Sequence, residues 1–370
     1  MFNAKRFALA RKRRGMKKKQ LAGRIGISEK SISAYEKGTQ EPERDTLSRI
    51  ATTLGFPENF FLGDDIDELT PDVASFRALT KMTASQRDMA LGAGSIALLL
   101  NEWIEKRFEL PESDLPDFGR EPIENGGTQG TEAAAEALRR HWGLGELPVK
   151  NMVALLESKG IRVFSLAIDA NEVDAFSMWY GGRPFVFLNT LKSAEHCRFD
   201  AAHELGHLVL HRHGEPHGQE IEREANAFAS AFLMPRRSVL ANAPRLPTLQ
   251  NLIAHKRYWT VSVAALNYRL HALGLTTDWV YRTLCIQIAE SGFRINEPEG
   301  ASHETSQVLA KVFSALREEG ITKDDVAREL TIDPTEIEQL TFGLMLNALV
   351  GKSRAAASKR SKRAHLRVVK

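Results

Sequence analysis

Apolar positions recur at helical spacing from the start of the chain. Phe2, Phe7, Leu9 and Ala10 begin a helical pattern that Gly15 stops, and a second short helix is predicted from about Lys18 to Ile25. Gly26 turns the chain, Ser28 is a favourable N-cap for a third helix reaching about Lys37, and Gly38 closes it. Pro42 precedes a fourth helix, from Asp45 to Leu54, and a longer helical region follows from about Ser85 to Phe108. Residues 110–130 are rich in Pro, Gly, Asp and Glu, the composition of a linker or long surface loop. Beyond it the pattern predicts helices over 131–142 and 149–159, then strands over 161–168, 175–180 and 184–188, with Gly181 and Gly182 as a hairpin turn. Two further helices are predicted, from about Ala194 to His211 and from about Glu220 to Leu233, the second ended by Met234 and Pro235. The remainder reads as mostly helical to about Leu349, with short strands near 280–295. The fold class is therefore mainly α with a small β-sheet (α+β).

Composition adds scale and compartment. With 370 residues, 43% hydrophobic and 26% charged, the chain is long enough for two or three domains with real cores. Its longest apolar stretch, Met89 to Leu100, is too short to cross a bilayer, so no membrane partner is expected. The basic N-terminus lacks the apolar core and cleavage site of a secretory signal, which places the protein in the cytoplasm. Two cysteines, Cys197 and Cys285, exclude a disulfide framework and cannot form a zinc site alone.

Charge distribution changes the picture more than the net value of +3. Residues 1–20 hold nine Lys or Arg and no acid, and residues 352–370 hold eight and no acid, so the rest is net acidic. Clustered cations attract a phosphate backbone by releasing condensed counterions. The first run is read as a nucleic-acid contact, whereas the tail, poor in apolar residues, is expected to be disordered.

The first candidate chemistry follows that basic run. Leu21 and Ala22 are placed to pack one short helix on the next, Gly26 permits a sharp turn, and Ile32 anchors a second helix whose outward residues are Glu29, Lys30, Ser33 and Ala34. The segments from Gly15 to Ala22, Gly26 to Ser28 and Ser31 to Gly38, with Pro42 and the Leu47, Ile50, Leu54 stripe, resemble the phage-repressor (XRE) family of helix-turn-helix proteins. That resemblance implies double-stranded operator DNA as a partner. It places positions 29, 30 and 34 over base edges in the major groove, and Lys18, Lys37 and Thr39 near phosphates. Lys30 suits a guanine contact, while Ala34 offers only an apolar one. Two half-sites are the usual requirement for tight binding, so a homodimer is expected.

The second candidate chemistry is His203-Glu204-Leu205-Gly206-His207. Histidines four apart share a helix face, so both imidazoles can hold one Zn²⁺ with Glu204 close to it. A catalytic zinc takes three protein ligands, and the acidic segment from Glu220 to Ala229 offers Glu220, Glu222 and Glu224. Glu222 is chosen because Ala225 and Ala229 lie on its helical face and permit close approach of the motif helix. His211 is the rival, but three ligands in line along one helix converge poorly on a tetrahedral ion.

His203 to His211 and the segment from Glu222 through Phe228 to Pro235 together resemble the ImmA/IrrE family of zinc metallopeptidases over roughly 130–275. The resemblance implies a zincin-like peptidase domain of the gluzincin type: zinc on His203, His207 and Glu222, with Glu204 as general base and later proton donor. The hairpin 175–188 offers an edge strand to an extended substrate. No oxyanion-stabilising residue is singled out among His211, His213, His217, Tyr180 and Tyr258.

The acids of the C-terminal third, Asp324, Asp325, Glu329, Glu336 and Glu338, argue for packing or dimerisation rather than DNA contact. The expected order is a helix-turn-helix DNA-binding domain (1–62), a helical connector and linker (63–130), a zincin-like metallopeptidase domain (131–275), a mostly helical region (276–350) and a basic disordered tail (351–370). The function expected is a transcriptional regulator whose zinc endopeptidase cleaves a protein substrate, a repressor or antitoxin-type partner or the protein itself. The alternative is a regulator whose metal site senses a ligand or stabilises the fold without proteolysis.

Overall fold

The computed structural model describes residues 1–70, 82–118, 128–166, 175–212, 218–293 and 295–345. The basic tail and the candidate histidines His213 and His217 lie outside the described residues. The chain forms two compact units, one built from Met1–Thr70, Thr83–Pro111 and the part following Thr305, the other running from Glu112 to Glu304.

In the first unit, four helices, Ala4–Arg13, Lys18–Ile25, Glu29–Glu36 and Arg44–Leu54, precede a short 3-10 turn at Glu58–Leu62. Each begins or ends where local chemistry requires. Asn3 accepts hydrogen bonds from the Lys5 and Arg6 amides, and Ser28 accepts one from Ser31. Gly26 and Gly55 close two helices in the left-handed conformation that suits glycine. Phe7, Leu21, Ile32, Ile50, Leu54, Phe60 and Phe61 are fully buried and form the core. The helix Ala84–Glu105 packs on Ala4–Arg13 through its small residues. A Cβ at Gly92 would stand 3.1 Å from the Arg13 Cα, so the absence of a side chain there sets the approach of the two helices.

The helices Gln307–Glu318, Lys323–Glu329 and Pro334–Thr341 complete this unit. Glu336 is fully buried and receives Arg13 at 2.9 Å together with Arg14. The C-terminal acids therefore include a partner for the basic N-terminal helix, consistent with the packing expected of them.

The second unit holds the sheet. Strands β1 (Arg162–Ser165), β2 (Ala175–Tyr180) and β3 (Arg183–Leu188) lie in the order β1-β3-β2, with β1 parallel and β2 antiparallel to β3. Gly181 and Gly182 both take positive φ, 55° and 76°, as a two-residue hairpin loop requires. Phe176 pairs with Phe187, ring centroids 4.4 Å apart. Among the described residues β2 forms one edge of the sheet.

Met152–Ser158 and Ala194–Leu210 pack on the sheet, and the unit also holds the helices Thr128–His141, Gln219–Leu233, Arg236–Asn242, Leu249–Trp259, Val263–Ala272 and Asp278–Glu290. The last corrects the expectation of strands near 280–295. Trp279, Val280, Tyr281, Thr283 and Ile286 favour strands by intrinsic propensity. However, Thr277 caps a helix there, and Leu284 and Ile288, four apart, bury one of its faces. No helix among the described residues is long and apolar enough to cross a membrane.

Candidate functional site

The HExxH motif lies in the helix Ala194–Leu210, started by Ser193, whose hydroxyl accepts from the His196 amide. Ala201, Ala202, Leu205, Leu208 and Val209 are buried, which commits the motif face to the interior. Strand β2 fixes the helix from one side: Ser177 Oγ donates to the Glu204 carbonyl at 3.4 Å, and Trp179 Nε1 donates to the Leu208 carbonyl at 3.2 Å. Near the start of the helix, Glu195 is tied to buried Lys256 at 2.9 Å, and Arg198 donates to the Val149 carbonyl and pairs with Glu304.

The acidic helix Gln219–Leu233 lies against the motif helix. Glu222, Ala225, Phe228 and Ala229 face inward, and Ala225 and Ala229 are fully buried. A Cβ at Gly206 would stand 3.1 Å from Phe228 Cδ1, so the fourth residue of the motif must be small for the helices to approach this closely.

That approach brings His203, His207 and Glu222 together, all three carrying a donor atom within 4.8 Å of the others. His203 Nε2 is 3.0 Å from His207 Nε2 and 3.3 Å from Glu222, and His207 Nε2 is 3.4 Å from Glu222. Ligands held at about 2.0–2.1 Å around a tetrahedral ion stand about 3.3 Å apart. The donor set and its spacing therefore fit a metal ion. Of the three acids in the segment, Glu222 alone joins this group.

Electrostatics support the grouping. Burial pushes the Glu222 carboxyl up, but its close contacts with both histidines outweigh it and hold the group far below the ordinary carboxylate range. Burial lowers His203 and is overcome by Glu222, Glu204 and Asp200, so its proton affinity rises. At His207 burial wins, and the group is pushed down to about 4. Glu204 is 2% exposed, and its charge acts on His203.

Three residues that sequence reasoning left without a role surround this cluster. Asn226 Oδ1 lies 3.1 Å from His203 Nδ1. His211 Nδ1 lies 3.0 Å from His207 Nδ1, and its Nε2 lies 3.0 Å from Glu224. The i, i+4 spacing of Glu222 and Asn226 is the one sequence signal that pointed to Asn226. Cys197 donates to the Asn189 carbonyl at 3.3 Å, and its thiol is pushed up to about 12, chiefly by burial.

In the N-terminal unit, Glu29 and Lys30 are exposed on the first turn of the helix Glu29–Glu36, and Ser33 and Ala34 are half-buried. Lys37 caps the helix and is exposed. Thr39 is also exposed, and its hydroxyl donates to the Ala34 carbonyl at 3.1 Å. Lys18 is paired at 2.7 Å with Glu36, the last residue of that helix, and Glu36 also accepts from Arg11 at 2.5 Å.

Comparison with known families adds two matches. Residues 4–63 match the model of a helix-turn-helix domain, and residues 156–271 match that of the IrrE N-terminal-like domain, a peptidase family. No curated protein matches the chain. The chain thus joins an XRE-type helix-turn-helix domain to a metallopeptidase-like domain of the ImmA/IrrE type.

Proposed function

We propose that the protein is a DNA-binding transcriptional regulator whose second unit is a zinc-dependent endopeptidase acting on a protein partner of the repressor or antitoxin kind, or on the protein itself. The observation that carries this reading is the triangle of His203, His207 and Glu222, with edges of 3.0, 3.3 and 3.4 Å, in the same chain as a helix-turn-helix domain.

His203, His207 and Glu222 would hold the zinc. Zinc, when bound, supplies Lewis acidity to a water and to a peptide carbonyl. Glu204 follows His203 in the chain and is buried, so its carboxylate is shielded from bulk water. It accepts the proton of the attacking water and returns it to the leaving amine. Strand β2, at the sheet edge and bonded to the motif helix through Ser177 and Trp179, supports docking of an extended substrate by main-chain pairing.

On DNA, Glu29, Lys30 and Ala34 would face base edges, with Ser33 on the same outward face, and Lys37 and Thr39 would face phosphates. Lys18 would exchange Glu36 for a phosphate. A homodimer would place two such helices on the half-sites of an operator.

The reading is tested by mass spectrometry of cellular proteins after induction of the wild type or Glu204→Gln. New peptide termini confined to the wild type support proteolysis. Identical profiles, with zinc bound in both, would favour a sensing or structural metal site.

A further inference from the structure

The contacts running outward from His207 carry one more inference, which rests on the zinc reading above. His203 and His207 both turn Nε2 toward Glu222, at 3.3 and 3.4 Å. An imidazole that offers a lone pair on Nε2 keeps its proton on Nδ1. His203 spends that proton on Asn226 Oδ1. His207 Nδ1 meets another imidazole nitrogen, His211 Nδ1, at 3.0 Å. Two such nitrogens bond when one of them holds the hydrogen. The donor here is His207, so His211 accepts on Nδ1 and carries its own hydrogen on Nε2, where Glu224 accepts it at 3.0 Å.

We propose that His211 and Glu224 are positioning residues for the metal centre: the Glu224 carboxylate orients His211, and His211 fixes the Nδ1–H tautomer of His207 and strengthens its Nε2 as a metal donor. Both nitrogens of His211 are thereby used, which removes it as a third ligand. The support is a chain of two imidazoles ending on a carboxylate, longer by one ring than the direct histidine–carboxylate contact common around zinc. Its side chains suit the role. His211 is about nine-tenths buried, which holds its ring in place, while Glu224 keeps 30% of its side chain exposed.

The test is zinc affinity, read by competition with a chromophoric chelator, for the full-length wild type, Glu224→Gln, His211→Ala and the double variant. Loss of such outer support weakens metal binding by about 10–100-fold. Each single variant is expected to fall in that range. The double variant should be no weaker than His211→Ala, because Glu224 acts only through His211. Glu224→Gln keeps the size and an acceptor oxygen at a part-exposed position, so it reads the charge without disturbing the fold. Wild-type affinity in Glu224→Gln, or losses that multiply in the double variant, would overturn the proposal while leaving the zinc site standing. A wild type that takes up no zinc overturns both.

Discussion

Gly206 and Phe228 set the spacing between the two helices that build the candidate metal centre. A Cβ on Gly206 would meet Phe228 Cδ1 at 3.1 Å and its Cβ at 3.3 Å, and Phe228 is fully buried with Phe232 stacked 5.7 Å away. Gly206→Val is therefore predicted to cost about 1–3 kcal/mol by overpacking. Because the same contact places Glu222 opposite the two histidines, zinc affinity should fall in parallel, read by chelator competition. A variant that keeps both its melting temperature and its zinc affinity contradicts this account of the helix approach.

Glu336 ties the C-terminal helices to the basic N-terminal helix within one unit. It is fully buried against Arg13, itself 6% exposed, and Arg14. Removing Glu336 leaves the buried Arg13 guanidinium with Gln339 but without a carboxylate, at a cost of about 3–5 kcal/mol. Glu336→Ala is expected to raise hydrogen exchange across Ala4–Arg13 and to weaken DNA binding, because that helix supplies Phe7 to the core beneath the reading helix. Unchanged exchange in Ala4–Arg13 would show that the pair contributes little.

Much of this was legible in the sequence, and the exceptions share a cause. Helix ends at Ser28, Ser193 and Gly26 follow from capping and turn chemistry that acts within a few residues, so they can be read locally. The HExxH spacing is local as well, and Glu222 could be chosen because Ala225 and Ala229 mark the face that approaches another helix. The roles of His211 and Glu224 depend on how two helices cross, which no local pattern encodes, and that of Asn226 shows locally only in its i, i+4 spacing from Glu222. Residues 280–295 failed in the opposite direction: aromatic and β-branched residues suggested strands, and burial of Leu284 and Ile288 decided for a helix. The partnership of Glu336 with Arg13 and Arg14 spans more than 320 residues of sequence and shows only as an acid among acids.

Cys197 offers a pH test. Burial, reinforced by Asp200, pushes its thiol up from 9.0 to about 12. The folded state thus keeps its proton more tightly than the unfolded chain, so between these values the unfolded chain ionises first and folding loses stability as pH rises. At pH 8 the thiolate fraction should be depressed on the order of 1,000-fold, since each pKa unit is a factor of ten. Alkylation of Cys197, followed by peptide mass mapping, is expected to be far slower in the native than in the unfolded protein. Rapid native alkylation would contradict the raised proton affinity of this half-buried thiol.

Lys37 is exposed at the end of the proposed reading helix and is expected to contact a phosphate. Each phosphate contact contributes about 0.9 to the slope of log affinity against log salt. Lys37→Ala should therefore flatten that slope by about 0.9 on a non-operator duplex, measured by fluorescence anisotropy. An unchanged slope would place Lys37 away from the backbone.

The central claim is that His203, His207 and Glu222 hold zinc. Its most direct test is the metal content of the purified full-length protein after equilibration with zinc and removal of unbound metal. The account predicts one zinc per wild-type chain, retention in Glu204→Gln and loss in His203→Ala. Absence of stoichiometric zinc from the wild type, or its undiminished presence in His203→Ala, would contradict it.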